Sequence, residues 1–284
     1  MKKRTSLFII GVILILLPGV KTLGQDQATL RNTRVIQLPS SHVKDMTYEL
    51  MITLPPDYDR TDTKFPVLYY LDAWMTTGIM SDAYFIASFT QAIEPVILVG
   101  VSFKGDVPAF IFNRARDYTP NHIPPEKLGE YAMMIPASGG GPDFLEFIKL
   151  ELIPLIEKNY RANPADRGIM GYSLGGLFAA WLLHEDPSLF RRYAICSPSL
   201  QWDNFSVLSD LEKLALPDGK IVLVTSTEDE EKPISMAVEK LIALLTKVNE
   251  IELRTLKVLG EGHHSGVPAT HMKALTVLYQ KQQP

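Results

Sequence analysis

The chain has 284 residues, 46% of them hydrophobic and 21% charged, with a net charge of −4 at neutral pH and a single cysteine. The acidic balance disfavours nucleic acid and anionic membrane surfaces as partners, and one thiol excludes an intrachain disulfide. Length and composition fit a globular domain. At the N-terminus, Lys2-Lys3-Arg4 precedes an apolar run of 11 residues, 7–17, closed by Pro18-Gly19 and by small residues at Thr22 and Gly24. This is the layout of a secretory signal peptide cleaved near Gly24, and it is too short for a membrane span of about 20 residues. Cleavage removes four basic residues and no acid, leaving 24 Lys+Arg against 32 Asp+Glu and a net charge of −8. The expected product is exported, periplasmic or secreted, with no stable membrane span, and residues 25–284 are expected to form one domain.

Apolar runs bounded by turn residues then alternate with helical patterns. Strands are predicted at 34–37, 48–54, 66–71, 95–101, 168–170, 193–197, 221–226 and 252–258, and helices at 143–157, 174–184, 204–213, 234–248 and 269–279. Such alternation implies an α/β fold with a mostly parallel sheet covered on both faces. The first two strands leave no room for a crossover helix and are expected to form an antiparallel N-terminal edge. Residues 103–141, rich in Pro, Gly, Asn and aromatics, are too long for an ordinary connection and read as a lid-like loop. Cys196 lies in an apolar run and is expected to be a buried small residue.

Gly171-Tyr172-Ser173-Leu174-Gly175 sits between a predicted strand and a predicted helix. This is the context of a nucleophile elbow, a tight turn that presents a serine oxygen, with Gly171 and Gly175 expected where side chains would collide with the neighbouring strand and helix. A serine hydroxyl needs a base to take its proton and an acid to orient that base, in the chain order Ser, acid, His. After the late strand comes Thr227-Glu228-Asp229-Glu230-Glu231, where four carboxylates in a row leave the choice open; Asp229 is favoured, with Glu228 as the alternative. The loop Gly260-Glu261-Gly262-His263-His264-Ser265-Gly266 supplies the base, His263 in preference to His264, while His271 falls on the last helix. Leu174 N–H, directly after the serine, is one expected oxyanion donor. The second is expected near Trp74, after the strand that ends at Leu71. Ser138-Gly139-Gly140-Gly141 lacks the histidine of a lipase donor loop and reads as a loop leading into a helix, and Asp203 reads as a helix cap. No phosphate loop, metal-ligand spacing or cofactor motif is present, so neither a metal nor a cofactor is expected.

Several stretches together resemble the putative-esterase family of α/β-hydrolases. They are residues 66–72 (P-V-L-Y-Y-L-D), 116–120 (R-D-Y-T-P), 144–154 (F-L-E-F-I-K-L-E-L-I-P), 171–178 (G-Y-S-L-G-G-L-F), 197–202 (S-P-S-L-Q-W) and 263–268 (H-H-S-G-V-P). The resemblance is greatest to the ferric-siderophore (trilactone) esterase branch. It implies the α/β-hydrolase fold, Ser173 as nucleophile, His263 as base, an acid at or beside Asp229, and oxyanion donors at Leu174 and near Trp74. Three departures fall at candidate pocket positions: Tyr172 where His is common, Ala73 where Gly is common, and Gln201 where Trp is frequent. Tyr172, Arg116 and Trp202 are the substrate-wall candidates, with Arg114 and His122 nearby; Arg116 either meets substrate or pairs internally with Asp117. The expectation is an exported serine esterase acting on a small-molecule ester. An acyltransferase of the same fold and a non-catalytic siderophore- or glycan-binding homologue are the alternatives.

Overall fold

A computed structural model describes residues 29–133, 135–214 and 216–281; the segment read as a signal peptide lies outside them. Among the described residues no helix is long and apolar enough to cross a membrane. Eight strands form one sheet in the order β1-β2-β4-β3-β5-β6-β7-β8. β1 (Thr33–Pro39), β2 (Thr47–Thr53) and β4 (Ile97–Phe103) pair antiparallel in that order, which gives the expected antiparallel edge. β4, β3 (Phe65–Tyr70), β5 (Ala162–Tyr172), β6 (Arg192–Cys196), β7 (Lys220–Asp229) and β8 (Ile251–Gly262) are parallel.

A parallel strand covered on both faces has no solvent side, so its sequence loses the apolar–polar alternation. β4 is buried along its whole length, and Cys196, at the end of β6, is fully interior. α1 (Ala73–Phe89) and α9 (Val267–Leu278) cover one face, where Leu68, Tyr70, Met80, Leu98, Met170 and Leu275 interdigitate. The other face carries α2 (Val107–Asp117), α4 (Gly141–Phe147), α5 (Ile153–Asn159), α6 (Leu174–Glu185), α7 (Ser206–Leu211) and α8 (Lys232–Leu245). Its core is larger and includes Tyr69, Phe110, Phe144, Leu177, Tyr193 and Leu241. Fully burying one such side chain stabilises by about 1.5–3 kcal/mol, so the two faces together hold the strand ends that carry the site.

Three helices lie where the sequence reading placed none. The stretch 103–141 is not one long loop: α2 occupies residues 107–117, and a single turn, α3 (Pro125–Leu128), follows. Asp106 caps α2 by accepting the Ala109 N–H at 3.1 Å, and Pro108 sits in the first turn, both ordinary helix-start features. α1 begins without such a signal. Its N-cap, Asp72, is left-handed (φ 57°) and makes no capping bond, and the helix has no acid in its first turn. The predicted helix 143–157 is interrupted by a π turn at Ile148–Leu152, where Ile153 N–H reaches back to Ile148 O. Pro154 has no N–H and would crowd the carbonyl four residues earlier, so the wider turn accommodates it.

Candidate active site

Ser173 is the one residue between β5 and α6, at φ 59° and ψ −114°. That conformation costs a non-glycine residue about 1–3 kcal/mol and persists only when its surroundings enforce it. Here they do. Ser173 N–H donates to Cys196 O at 3.0 Å, and Ser173 O accepts the N–H groups of Leu177 and Ser199 at 2.9 and 3.0 Å. A Cβ on Gly171 would lie 2.1 Å from Gly175 O, and one on Gly176 would lie 2.7 Å from Cys196 O. Gly175, by contrast, has room: its nearest neighbour would be Asp72 Oδ2 at 3.4 Å, an ordinary contact.

The turn holds Ser173 Oγ 3.0 Å from His263 Nε2, and His263 Nδ1 lies 2.6 Å from Glu230 Oε1. His263 follows β8 directly and its side chain is buried, as is that of Glu230 at 1% exposure. A carboxylate only accepts, so Nδ1 carries the proton and Nε2 is left to accept from the serine hydroxyl. The second Glu230 oxygen accepts from Thr227 Oγ1 at 3.0 Å and Thr227 N at 3.3 Å. Burial pushes the Glu230 carboxyl up, but the hydrogen bond and charge of His263 and the Thr227 N–H more than offset it and hold the group below the usual carboxylate range. His264 is exposed and packs edge-on against the His263 ring at 5.4 Å, away from this line.

The carboxylate on the histidine is therefore Glu230, where the sequence reading favoured Asp229 and then Glu228. β7 runs to Asp229, three residues beyond the predicted end at 226, so Asp229 still belongs to the ladder, opposite Gly262. Glu228 turns outward and accepts Gly260 N–H at 2.7 Å. Glu230 is the first carboxylate past the strand. His271, on α9, is buried and donates from Nδ1 toward Val267 O at 2.8 Å, outside the Ser173–His263–Glu230 line.

The N-termini of α6 and α1 meet beside Ser173. First-turn N–H groups have no partner within their own helix, and neither Ser173 nor Asp72 caps with its side chain. Met75 and Thr76 N–H turn back to Asp72 O at 3.0 and 3.2 Å, which leaves Leu174 N–H and, at the start of α1, the Ala73 and Trp74 N–H groups as donors. Arg114 ties the two ends together: Nε and Nη2 clasp Asp72 at 2.6 and 3.1 Å, and Nη2 also donates to Tyr172 O at 3.1 Å. The Tyr118 hydroxyl accepts Asp72 N–H at 3.2 Å. Trp74 stacks on Phe110 at 5.1 Å, donates its indole N–H to Gly105 O and is 39% exposed, which fixes an apolar rim at this end of the helix.

The wall candidates divide differently from expectation. Tyr172 is buried and donates its hydroxyl to His263 O at 2.6 Å, so it braces the histidine instead of facing a ligand. Tyr172→Phe is expected to lower kcat about three- to tenfold, the loss of one buried hydrogen bond, with KM for a small ester unchanged; a KM effect alone would return Tyr172 to the pocket wall. Arg116 pairs with Asp117 at 2.6 Å, and Asp117, fully buried, also accepts the Tyr48 hydroxyl at 2.7 Å. The guanidinium fixes the loop after α2. Trp202 is only 6% exposed and packs in the core. Asp203 does not cap a helix; it accepts from Asn121 Nδ2 at 2.7 Å. His122 holds Ser138, and Gly141 starts α4.

Ser199 was missed as a site residue, although it lies within the stretch 197–202 that carries part of the resemblance. Its Oγ is 3.1 Å from Ser173 Oγ. A second serine three residues past a strand end carries no signal of its own in sequence; only the fold brings it to the elbow.

The sheet topology, the strand–turn–helix at Ser173 and the site at the carboxyl ends of parallel strands define an α/β-hydrolase. Residues 41–275 match the putative esterase family, and the chain belongs to that family of ester hydrolases. The ferri-bacillibactin esterase BesA of Bacillus subtilis is 28% identical over 257 residues, 84% of this chain and 87% of that protein. The apo-salmochelin esterase of Escherichia coli is 29% identical over 150 residues, 52% of this chain and 46% of its own length. Among solved structures, the BES protein from Bacillus cereus aligns with a TM-score of 0.78 at 28% identity, covering 92% of this chain and 99% of its own. An IroE-like serine hydrolase from Shewanella oneidensis aligns with a TM-score of 0.73 at 25% identity, covering 87% of this chain and 80% of its own.

Proposed function

We propose that the protein is an exported serine esterase that cleaves the ester bonds of a siderophore lactone through an acyl-enzyme. The observation that carries the reading is the continuous line Glu230–His263–Ser173, with contacts of 2.6 and 3.0 Å. Ser173 Oγ attacks the ester carbonyl carbon while His263 Nε2 takes its proton; Glu230 keeps the Nδ1 proton in place and stabilises the imidazolium. The carbonyl oxygen gains charge against the N–H groups of Leu174 and of the first turn of α1 at Trp74, each donor contributing about 3–4 kcal/mol to the transition state. Collapse expels the alcohol, which takes the proton from His263. Water then repeats the sequence on the acyl carbon and frees the acid and Ser173.

The names of the two curated relatives support the substrate class, since both are siderophore esterases, and the basic–apolar N-terminus supports export. The test is labelling with a fluorophosphonate followed by peptide mapping, alongside hydrolysis of a siderophore trilactone to its linear acid followed by mass spectrometry. A single adduct on Ser173 and opening of the lactone are expected. Absence of label, or a label elsewhere, overturns the serine mechanism; labelling without lactone opening moves the substrate to another ester class.

A further inference from the structure

The direction of the hydrogen bonds around Ser173 fixes a role for its neighbour. Glu230 accepts from His263 Nδ1, so Nε2 accepts from Ser173, and the one proton of the Ser173 hydroxyl is committed to the histidine. The 3.1 Å contact between Ser173 Oγ and Ser199 Oγ then has a single polarity: Ser199 donates. Its placement is rigid. Ser199 is 7% exposed, its N–H donates to Ser173 O at 3.0 Å, and Ser199 O accepts Trp202 N–H at 3.1 Å. Upstream, Ser197 N–H is held by Thr225 O at 3.0 Å, and Pro198 packs so closely on Gly176 that a Cβ there would lie 3.0 Å from Pro198 Cα. The two serines are thus yoked through backbone and side chain alike.

Resting on the serine-esterase reading, we propose that Ser199 is a second active-site hydroxyl that holds Ser173 Oγ as the leaving oxygen of deacylation. In acylation an Oγ lone pair becomes the bond to the acyl carbon, and the group that donates to Oγ loses part of its acceptor. In deacylation the bond between the acyl carbon and Oγ breaks, its electron pair returns to Oγ, and His263 Nε2 returns the proton. Ser199 O–H steadies that pair as it develops. The effect therefore falls on the second half of the reaction.

The experiment separates the halves with p-nitrophenyl acetate. Acylation is followed as single-turnover release of p-nitrophenol, and deacylation as decay of the isolated acyl-enzyme by intact mass. Ser199→Ala is expected to keep acylation within about twofold of the native rate and to slow deacylation about three- to tenfold, the kinetic equivalent of one neutral hydrogen bond. Ser199→Thr, which keeps the hydroxyl, is expected to recover the native deacylation rate. Should the alanine variant fail to fold, Ser199→Cys, nearly isosteric with a much weaker donor, is read in the same way. Unchanged deacylation, or an equal fall in both steps, overturns the proposal while leaving the esterase reading intact. A native protein that forms no acyl adduct on Ser173 overturns the esterase reading itself, and this role with it.

Discussion

Glu230→Gln is expected to lower kcat/KM toward a p-nitrophenyl ester by about 10²–10⁴-fold, whereas Asp229→Asn and Glu228→Gln leave it within about twofold. Ser173→Ala and His263→Ala should each cost about 10⁴-fold or more, because a missing member disables the whole unit. The argument for glutamine is one of tautomers. Its amide can present N–H to Nδ1, which then accepts; the ring proton moves to Nε2 and points at Ser173, and the serine has no base. The side chain keeps its volume, so the fold is retained. Steady-state kinetics on the set of variants decide the point, and an Asp229→Asn enzyme as impaired as Glu230→Gln would return the acid to the position favoured from sequence.

The same carboxylate has a signature in stability. Its pKa in the folded protein is depressed, so its contribution is present above the ordinary carboxylate range and is lost as pH falls through the lowered value. Glu230→Gln should flatten the acid limb of a Tm-against-pH profile for that reason, with no change in the neutral range beyond a constant offset.

What sequence reasoning could see and what it could not both have physical causes. The elbow was legible because Gly171 and Gly175 flank a serine between a strand and a helix, although the backbone crowding expected at both is found at Gly171 and Gly176 and not at Gly175. His263 was legible because β8 leads straight into it. The antiparallel edge was legible from the short β1–β2 connection. The acid was not, because the ladder between β7 and β8 slips between Thr227 and Asp229. Past that irregularity the alternation of faces fails, and polar residues extend β7 through hydrogen bonding that no apolar run announces. Counting along Thr227-Glu228-Asp229-Glu230 therefore cannot select a side chain. α1 escaped for a related reason: it starts at a left-handed Asp72 whose carboxylate is taken by Arg114, so the usual capping signature is spent on a contact 42 residues away. α2, in contrast, displayed Asp106 and Pro108 at its start, and its signal was masked by the surrounding glycines, prolines and aromatics. Arg116 and Arg114 looked alike in sequence as cations for a ligand. Each proved to be matched to a buried carboxylate, as the cost of burying an unpaired charge requires.

Gly171→Ala is expected to destabilise the protein by about 3 kcal/mol or more, at the upper end of overpacking effects, and to abolish activity together with stability. The added methyl would lie 2.1 Å from Gly175 O and 2.2 Å from Gly175 C. Both are backbone atoms of the first turn of α6, so no rotamer change relieves the clash. Relief requires moving the helix start away from β5, which carries Leu174 N–H and the Ser173 backbone out of register with His263. Gly175→Ala is the control. Its methyl would meet nothing closer than 3.4 Å, its φ is not positive, and alanine in place of glycine in a helix stabilises by about 0.5–1 kcal/mol. A Tm lowered on the order of 10 °C for Gly171→Ala, set against an unchanged or slightly raised Tm for Gly175→Ala, is the expected pair of results from thermal unfolding. Equal losses at the two positions would mean that the elbow packs more loosely around β5, or more tightly against Asp72, than the geometry at Ser173 requires.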